Sequence, residues 1–94
     1  YRDLEVDTDK CLVLLNGEEV HLTSTEYKLL RYLIENKGRI VTKAMLLEQL
    51  WDIDGNFVDE NTVRVNIKRL RQKLNDDKQE YIVTVFGMGY TFGE

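Results

Sequence analysis

Residues 62–74, TVRVNIKRLRQKL, carry five positive charges (Arg64, Lys68, Arg69, Arg71 and Lys73) and no acid. The whole chain of 94 residues holds 17 acids against 13 bases, a formal net charge of −4. At about 100° per residue, Val63, Ile67, Leu70 and Leu74 fall in one narrow stripe that must pack on a core. The spacing predicts a helix that Asp59 can cap and that runs to about Leu74. Opposite the stripe lie Asn61, Val65, Lys68, Arg69 and Gln72, with Thr62 at one edge. Arg64 and Arg71 flank the stripe on one side; Asn66 and Lys73 flank it on the other.

Two readings of the free face follow from these residues alone. The first is a solvated face, the usual fate of a charge run. Against it, a merely solvated helix mixes signs for i,i+4 pairing, and nothing structural asks the apolar Val65 to point outward. The second reading is an anion-binding face of the kind that fits a DNA major groove. Lys and Arg suit phosphates or guanine edges, Asn suits adenine, and Val suits a thymine methyl.

Outward from this stretch, the charge is polarised. Residues 1–27 carry two bases and seven acids, residues 28–60 five and six, and residues 75–94 one and four. An acidic total argues against promiscuous binding to polyanions and leaves room for one local cationic face. Before the helix, LEVD alternates and KCLVLL is a short apolar run. Asn16-Gly17 is a two-residue hairpin turn leading into EEVHL, so an antiparallel sheet opens the chain. Thr23 and Glu26 have capping-box spacing at the start of a helix with Tyr27, Leu30, Leu33 and Ile34 on one side, and Gly38 as its C-terminal cap. Thr42 caps a second helix, KAMLLEQLW, ending near Trp51, and DIDGNFV reads as a loop. After the third helix, YIVTV, GMG and YTF read as strand, turn and strand. The expected fold is α+β: sheet, three helices and a terminal hairpin, with residues 1–94 as one domain.

Several function classes are excluded by composition. No apolar run approaches the ~18 residues of a membrane span. One cysteine and one histidine give neither a disulfide, nor a zinc site, nor a Cys-His pair, and no metal or other cofactor is expected. The apolar neighbours of Cys11 predict a buried, inert thiol; His21 reads as an exposed strand-end residue. No nucleophile–base pair or phosphate-binding loop suggests an enzyme.

Three stretches carry a resemblance that covers essentially the whole chain: LTSTEYKLLRYLIENKGRIVTKAMLLEQLW (22–51), VDENTVRVNIKRLRQKL (58–74) and YIVTVFGMGYTF (81–92). The chain resembles the C-terminal winged helix-turn-helix domain of OmpR/PhoB-type bacterial response regulators. The resemblance implies a four-stranded N-terminal sheet, three helices and a hairpin wing. It implies sequence-specific binding of double-stranded DNA for transcription regulation, with the third helix in the major groove and the wing near the minor groove. It further implies direct-repeat sites, a cytoplasmic bacterial setting, and a separate receiver domain whose phosphorylation drives dimerisation. On that basis the chain is expected to be a fragment without its receiver, and monomeric alone. The loop 52–58 is the segment expected to touch RNA polymerase.

Carried onto matching positions, the candidate DNA contacts are Thr62, Arg64, Val65, Asn66, Lys68, Arg69 and Arg71, with Lys43 and Thr84 for the backbone. Val65, Asn66 and Arg69 are the expected base readers, and Lys68 can serve base or phosphate. Arg64 and Arg71 are expected to reach phosphates. Trp51 matches a position that either touches the DNA backbone or packs in the core. The chain departs from the family in the wing, where Phe86 stands in place of the usual Arg and Thr91 in place of a frequent basic residue. By strand alternation Phe86 shares a face with Ile82 and Thr84. Packing on sugars, meeting another protomer, intercalation, or no role are all open to an exposed ring there. A runner-up function is a winged helix used mainly for protein contacts.

Overall fold

The computed structural model describes residues 4–54, 60–76 and 81–93, with the side chains of 51–54 and 60 left aside. Strands β1 (Leu4–Asp7), β2 (Leu12–Leu15) and β3 (Glu18–Glu19) form an antiparallel sheet in that order. The hairpin between β2 and β3 turns on Asn16 and Gly17, both left-handed with φ of 54° and 81°, the pairing that a two-residue turn of matching twist requires. Three strands, rather than the four the resemblance implied, make up this sheet among the described residues.

Cys11 is a correction to the sequence reading. The strand starts only at Leu12, because Asp7 pairs with Leu12 and the four residues between them form a turn. The Asp7 carboxylate holds that turn by accepting from the N–H groups of Asp9 (3.0 Å) and Lys10 (3.2 Å). Cys11 takes a left-handed φ of 51° and is exposed, not buried.

Helix α1 (Ser24–Glu35) begins with the expected capping box. Thr23 Oγ1 accepts from the Glu26 N–H (3.2 Å), and Glu26 Oε1 accepts from the Thr23 N–H (3.0 Å). Its buried side is Glu26, Leu29, Leu30 and Leu33, so Tyr27 and Ile34 lie at the margins. The helix ends at Asn36 rather than Gly38: the Asn36 amide Nδ2 donates to the Tyr32 carbonyl (2.8 Å), and Gly38, with φ of 86°, makes the reversal that follows. After Arg39 and Ile40 comes β4 (Val41–Thr42), a strand too short to leave a sequence pattern.

Thr42 caps α2 (Lys43–Asp54) by accepting from the Met45 N–H (3.2 Å). The helix continues three residues past the expected end at Trp51, so only residues 55–58 remain of the expected loop, and they lie outside the described residues together with the Asp59 cap. Helix α3 (Glu60–Lys73) buries Val63, Ile67 and Leu70, with Leu74 just beyond its end, against Leu29, Leu30, Leu33, Leu46 and Leu50. The apolar stripe read from the sequence is therefore the one that packs.

The chain closes with β5 (Ile82–Val85) and β6 (Gly89–Phe92). This hairpin forms a second sheet in the order β4-β6-β5, with Val41 opposite Tyr90 and Thr42 opposite Gly89. A side chain at Gly89 would fall against the Val41 carbonyl oxygen and 2.9 Å from the Thr42 Cα, so this close strand approach requires glycine. Asp76, buried after the end of α3, accepts from the N–H groups of Tyr81 (3.0 Å) and Ile82 (2.9 Å) and fixes where β5 starts. The hairpin is thereby tied to α2 through β4 and to α3 through Asp76.

Candidate nucleic-acid interface

The face of α3 turned from the core exposes Asn61, Arg64, Val65, Lys68, Arg69 and Gln72. Val65 is 36% exposed, a β-branched apolar side chain placed among cations and amides. Among the described residues no carboxylate pairs with Arg64, Lys68 or Arg69. Arg64 is steadied from its own helix, where its Nη2 donates to Asn61 Oδ1 (3.2 Å). An exposed, acid-free cationic face of this kind attracts polyanions, because its charges are not cancelled by neighbours.

Three of the charged and polar residues of 62–74 have partners that the sequence does not show. Asn66 is only 8% exposed, and its Nδ2 donates to the Thr62 carbonyl one turn back (2.8 Å). The side chain is turned along the helix and satisfies backbone, which takes it off the free face. Lys73, on the flank of the stripe, is engaged in a different way: its Nζ pairs with the Glu26 carboxylate, which is 1% exposed. Burial alone would raise the Glu26 pKa; Lys73 and the Thr23 cap outweigh it and hold the carboxyl below its ordinary value.

Arg71 is the third. Its Nε and Nη2 donate to the Ile82 carbonyl (3.1 and 2.8 Å), and Nη2 also donates to Thr84 Oγ1 (2.7 Å). The guanidinium carbon lies 5.8 Å from the ring centre of Tyr90, a cation–π contact. Burial pulls its pKa down from the usual arginine value, opposed by the nearby Tyr90 and Asp76. Arg71 therefore holds the hairpin against α3 instead of standing free to reach a phosphate. Thr84 remains exposed, and because its oxygen accepts from Arg71, its own O–H points elsewhere and can be donated.

Between α2, α3 and the hairpin lies a depression of about 430 Å³, lined among others by Lys43, Arg64, Arg71, Thr84, Phe86 and Tyr90. Four of the residues singled out from the sequence, Lys43, Arg64, Arg71 and Thr84, are thus gathered at one place. Lys68 and Arg69 stand beyond it on the exposed helix face, and Thr62 is half-buried at its edge. Phe86 is not on the strand. It is the first residue of the turn 86–88 and is 99% exposed, so strand alternation does not orient it. Sequence reading placed Asn61 on the free face but missed Tyr90 and β4 as parts of this site. For Tyr90 a signal existed in the GMGY turn; for β4 there was none. The side chain of Trp51 lies outside the described residues.

Residues 17–92 match the family model described as "Transcriptional regulatory protein, C terminal". The regulatory protein VanR of Enterococcus faecium is 40% identical over 89 residues, which are 93% of this chain and 38% of VanR. The response regulator DrrB of Thermotoga maritima, an OmpR/PhoB homologue, superposes with a TM-score of 0.87 at 37% identity over 98% of this chain and 42% of DrrB. The DNA-binding domain of Klebsiella pneumoniae RstA, in complex with the RstA box, superposes with a TM-score of 0.82 at 35% identity over 97% of this chain and 91% of that domain. The chain spans about two-fifths of the length of the curated relatives it matches. Among the described residues no helix is long and apolar enough to cross a membrane.

Proposed function

Since the chain belongs to the family of transcriptional-regulator C-terminal domains, the winged-helix DNA-binding domains of OmpR/PhoB-type response regulators, we propose how its own residues meet DNA. The family consists of transcription-factor domains, not enzymes. Helix α3 enters the major groove with its free face toward the base edges. The observation that carries this reading is the exposed surface around Val65, free of acids among the described residues. Val65 meets a thymine methyl, Arg69 reads a base edge, and Lys68 takes a base or the adjoining phosphate. Arg64, Lys43 and the Thr84 hydroxyl hold the phosphate backbone across the depression, and Thr62 contacts it from the start of α3.

Asn66 and Arg71, expected from the resemblance to touch DNA, take supporting roles in this reading. Asn66 braces the first turns of α3 through Thr62, and Arg71 sets the distance between helix and hairpin. Three phosphate-neutralising cations (Lys43, Arg64 and Lys68) give a slope of log K against log salt of roughly −3. Titration of salt into a complex with non-specific duplex tests the reading. A slope near zero would overturn it and favour a module built for protein contacts.

For the longer protein, we propose a receiver domain ahead of this one, whose phosphorylation brings two protomers head-to-tail onto direct repeats. The chain's share of its relatives' length supports this. A cytoplasmic setting, a monomeric state of the domain alone and a polymerase contact through residues 52–58 complete the proposal. Selection of duplexes from a random pool by the domain joined to its receiver tests the repeat arrangement.

A further inference from the structure

The hairpin from Tyr81 to Gly93 contains no Lys, Arg, Asp or Glu. At its tip Phe86 is 99% exposed and Met88 57% exposed, two apolar side chains on either side of Gly87. A fully exposed phenylalanine has no packing role in the domain. Its base, by contrast, is held firmly: Arg71 binds Ile82 and Thr84, Asp76 binds the start of β5, and β4 pairs with β6. The position of the tip relative to α3 is therefore fixed before any partner arrives. Phe86 also lines the same depression as Lys43, Arg64 and Thr84. A duplex that follows those groups runs past the tip.

We infer that Phe86 is an apolar anchor for the sugar edges of the DNA minor groove, a contact that neutralises no phosphate. Deoxyribose rings line the walls of that groove and offer C–H surface to an aromatic ring, whatever the sequence. Apolar side chains can grip a minor groove in this way without reading base identity. Met88, on the other side of the turn, widens the apolar tip. Attachment then divides between two kinds of contact: ionic on α2 and α3, and salt-insensitive at the hairpin. This inference rests on the DNA-binding reading above.

The test uses a duplex too short to hold two protomers, of arbitrary sequence, with affinity measured across a range of salt. Phe86→Ala is expected to weaken binding about tenfold, as if roughly half a phenylalanine side chain were returned to water, with the salt slope unchanged. Phe86→Arg is expected to bind at least as well as the unaltered domain and to steepen the slope by about one unit. Because the residue 86 side chain is 99% exposed, both variants should melt with the unaltered protein. Equal affinity of Phe86→Ala and the unaltered domain at every salt concentration would overturn the inference while leaving the DNA-binding reading intact. A loss that appears only on duplexes long enough for two protomers would also overturn it, by moving the ring to a protein contact. If the unaltered domain shows no salt-dependent binding at all, the DNA-binding reading itself fails.

Discussion

Arg71 donates to both the Ile82 carbonyl and the Thr84 hydroxyl, so the last turn of α3 and the first strand of the hairpin share one side chain. A guanidinium can bridge two acceptors in one plane, whereas an ammonium is a compact point charge with different reach. Arg71→Lys should therefore cost about 1–2 kcal/mol of stability, from hydrogen bonds lost at partly buried acceptors. DNA affinity should fall as well, through displacement of the hairpin. A double-mutant cycle with Thr84→Val, read by urea unfolding, should give a non-additive coupling; strict additivity would refute the bridge.

Val65 tests the reading helix directly. Val65→Ser should reduce discrimination at one thymine by roughly 1 kcal/mol or less, since a methyl contact is lost and no charge changes. Binding to non-specific duplex and the melting temperature should stay the same. Competition between thymine- and uracil-containing sites would locate the base, because uracil lacks only the methyl.

Arg69 and Arg64 should separate by the kind of loss. Arg69→Ala should cost about 1–3 kcal/mol on the preferred site and relax choice at one base pair. Arg64→Ala should weaken all duplexes alike and make the salt slope shallower by about one unit. Quantitative footprinting on the preferred site and on scrambled duplex distinguishes the two.

The buried Glu26 carboxylate links acid stability to α3. Its folded-state pKa lies below the ordinary carboxylate value. Its contribution is therefore fully present above that ordinary value and is lost as the pH falls through the lower, folded one. Glu26→Gln should flatten the acid limb of the stability curve. Lys73→Met leaves the buried carboxylate without its partner, and should cost about 1–2 kcal/mol at neutral pH, a modest figure because Lys73 itself is partly exposed. Thermal melts of the three proteins across acid to neutral pH measure both effects.

Gly89→Ala should be the most damaging single change in the hairpin. The added carbon meets the β4 backbone, which cannot move without breaking the strand pairing. A loss of about 3 kcal/mol or more is expected, read by thermal melting.

Elements with a strong repeat were legible in the sequence. The stripe Val63, Ile67, Leu70 and Leu74 fixed both the existence of α3 and its orientation, and Val65 followed as the outward apolar residue. The capping box at Thr23 and the Asn16-Gly17 turn were legible because their chemistry is local. What escaped depends on partners far along the chain or on a side chain's local choice. Arg71 and Lys73 carry the same charge as Lys68, and only the folded positions of Ile82 and Glu26 turn them inward. Asn66 is on the flank by helical angle, yet its short amide finds the Thr62 carbonyl first. Cys11 lies in an apolar run, but the register of Asp7 with Leu12 puts it in the turn.

The two-residue strand β4 has a consequence for the order in which the domain matures on the ribosome. Val41 and Thr42 emerge before α2, α3 and β5, while their partners Tyr90 and Gly89 emerge only after those elements. A chain grows from its N-terminus, and pairing between distant segments must wait for the later one. The first turn of α2, with Lys43, is therefore braced only once β6 has been made. Nascent chains that stop short of β6 would carry the reading helix without its support, so competence for DNA arrives with β6.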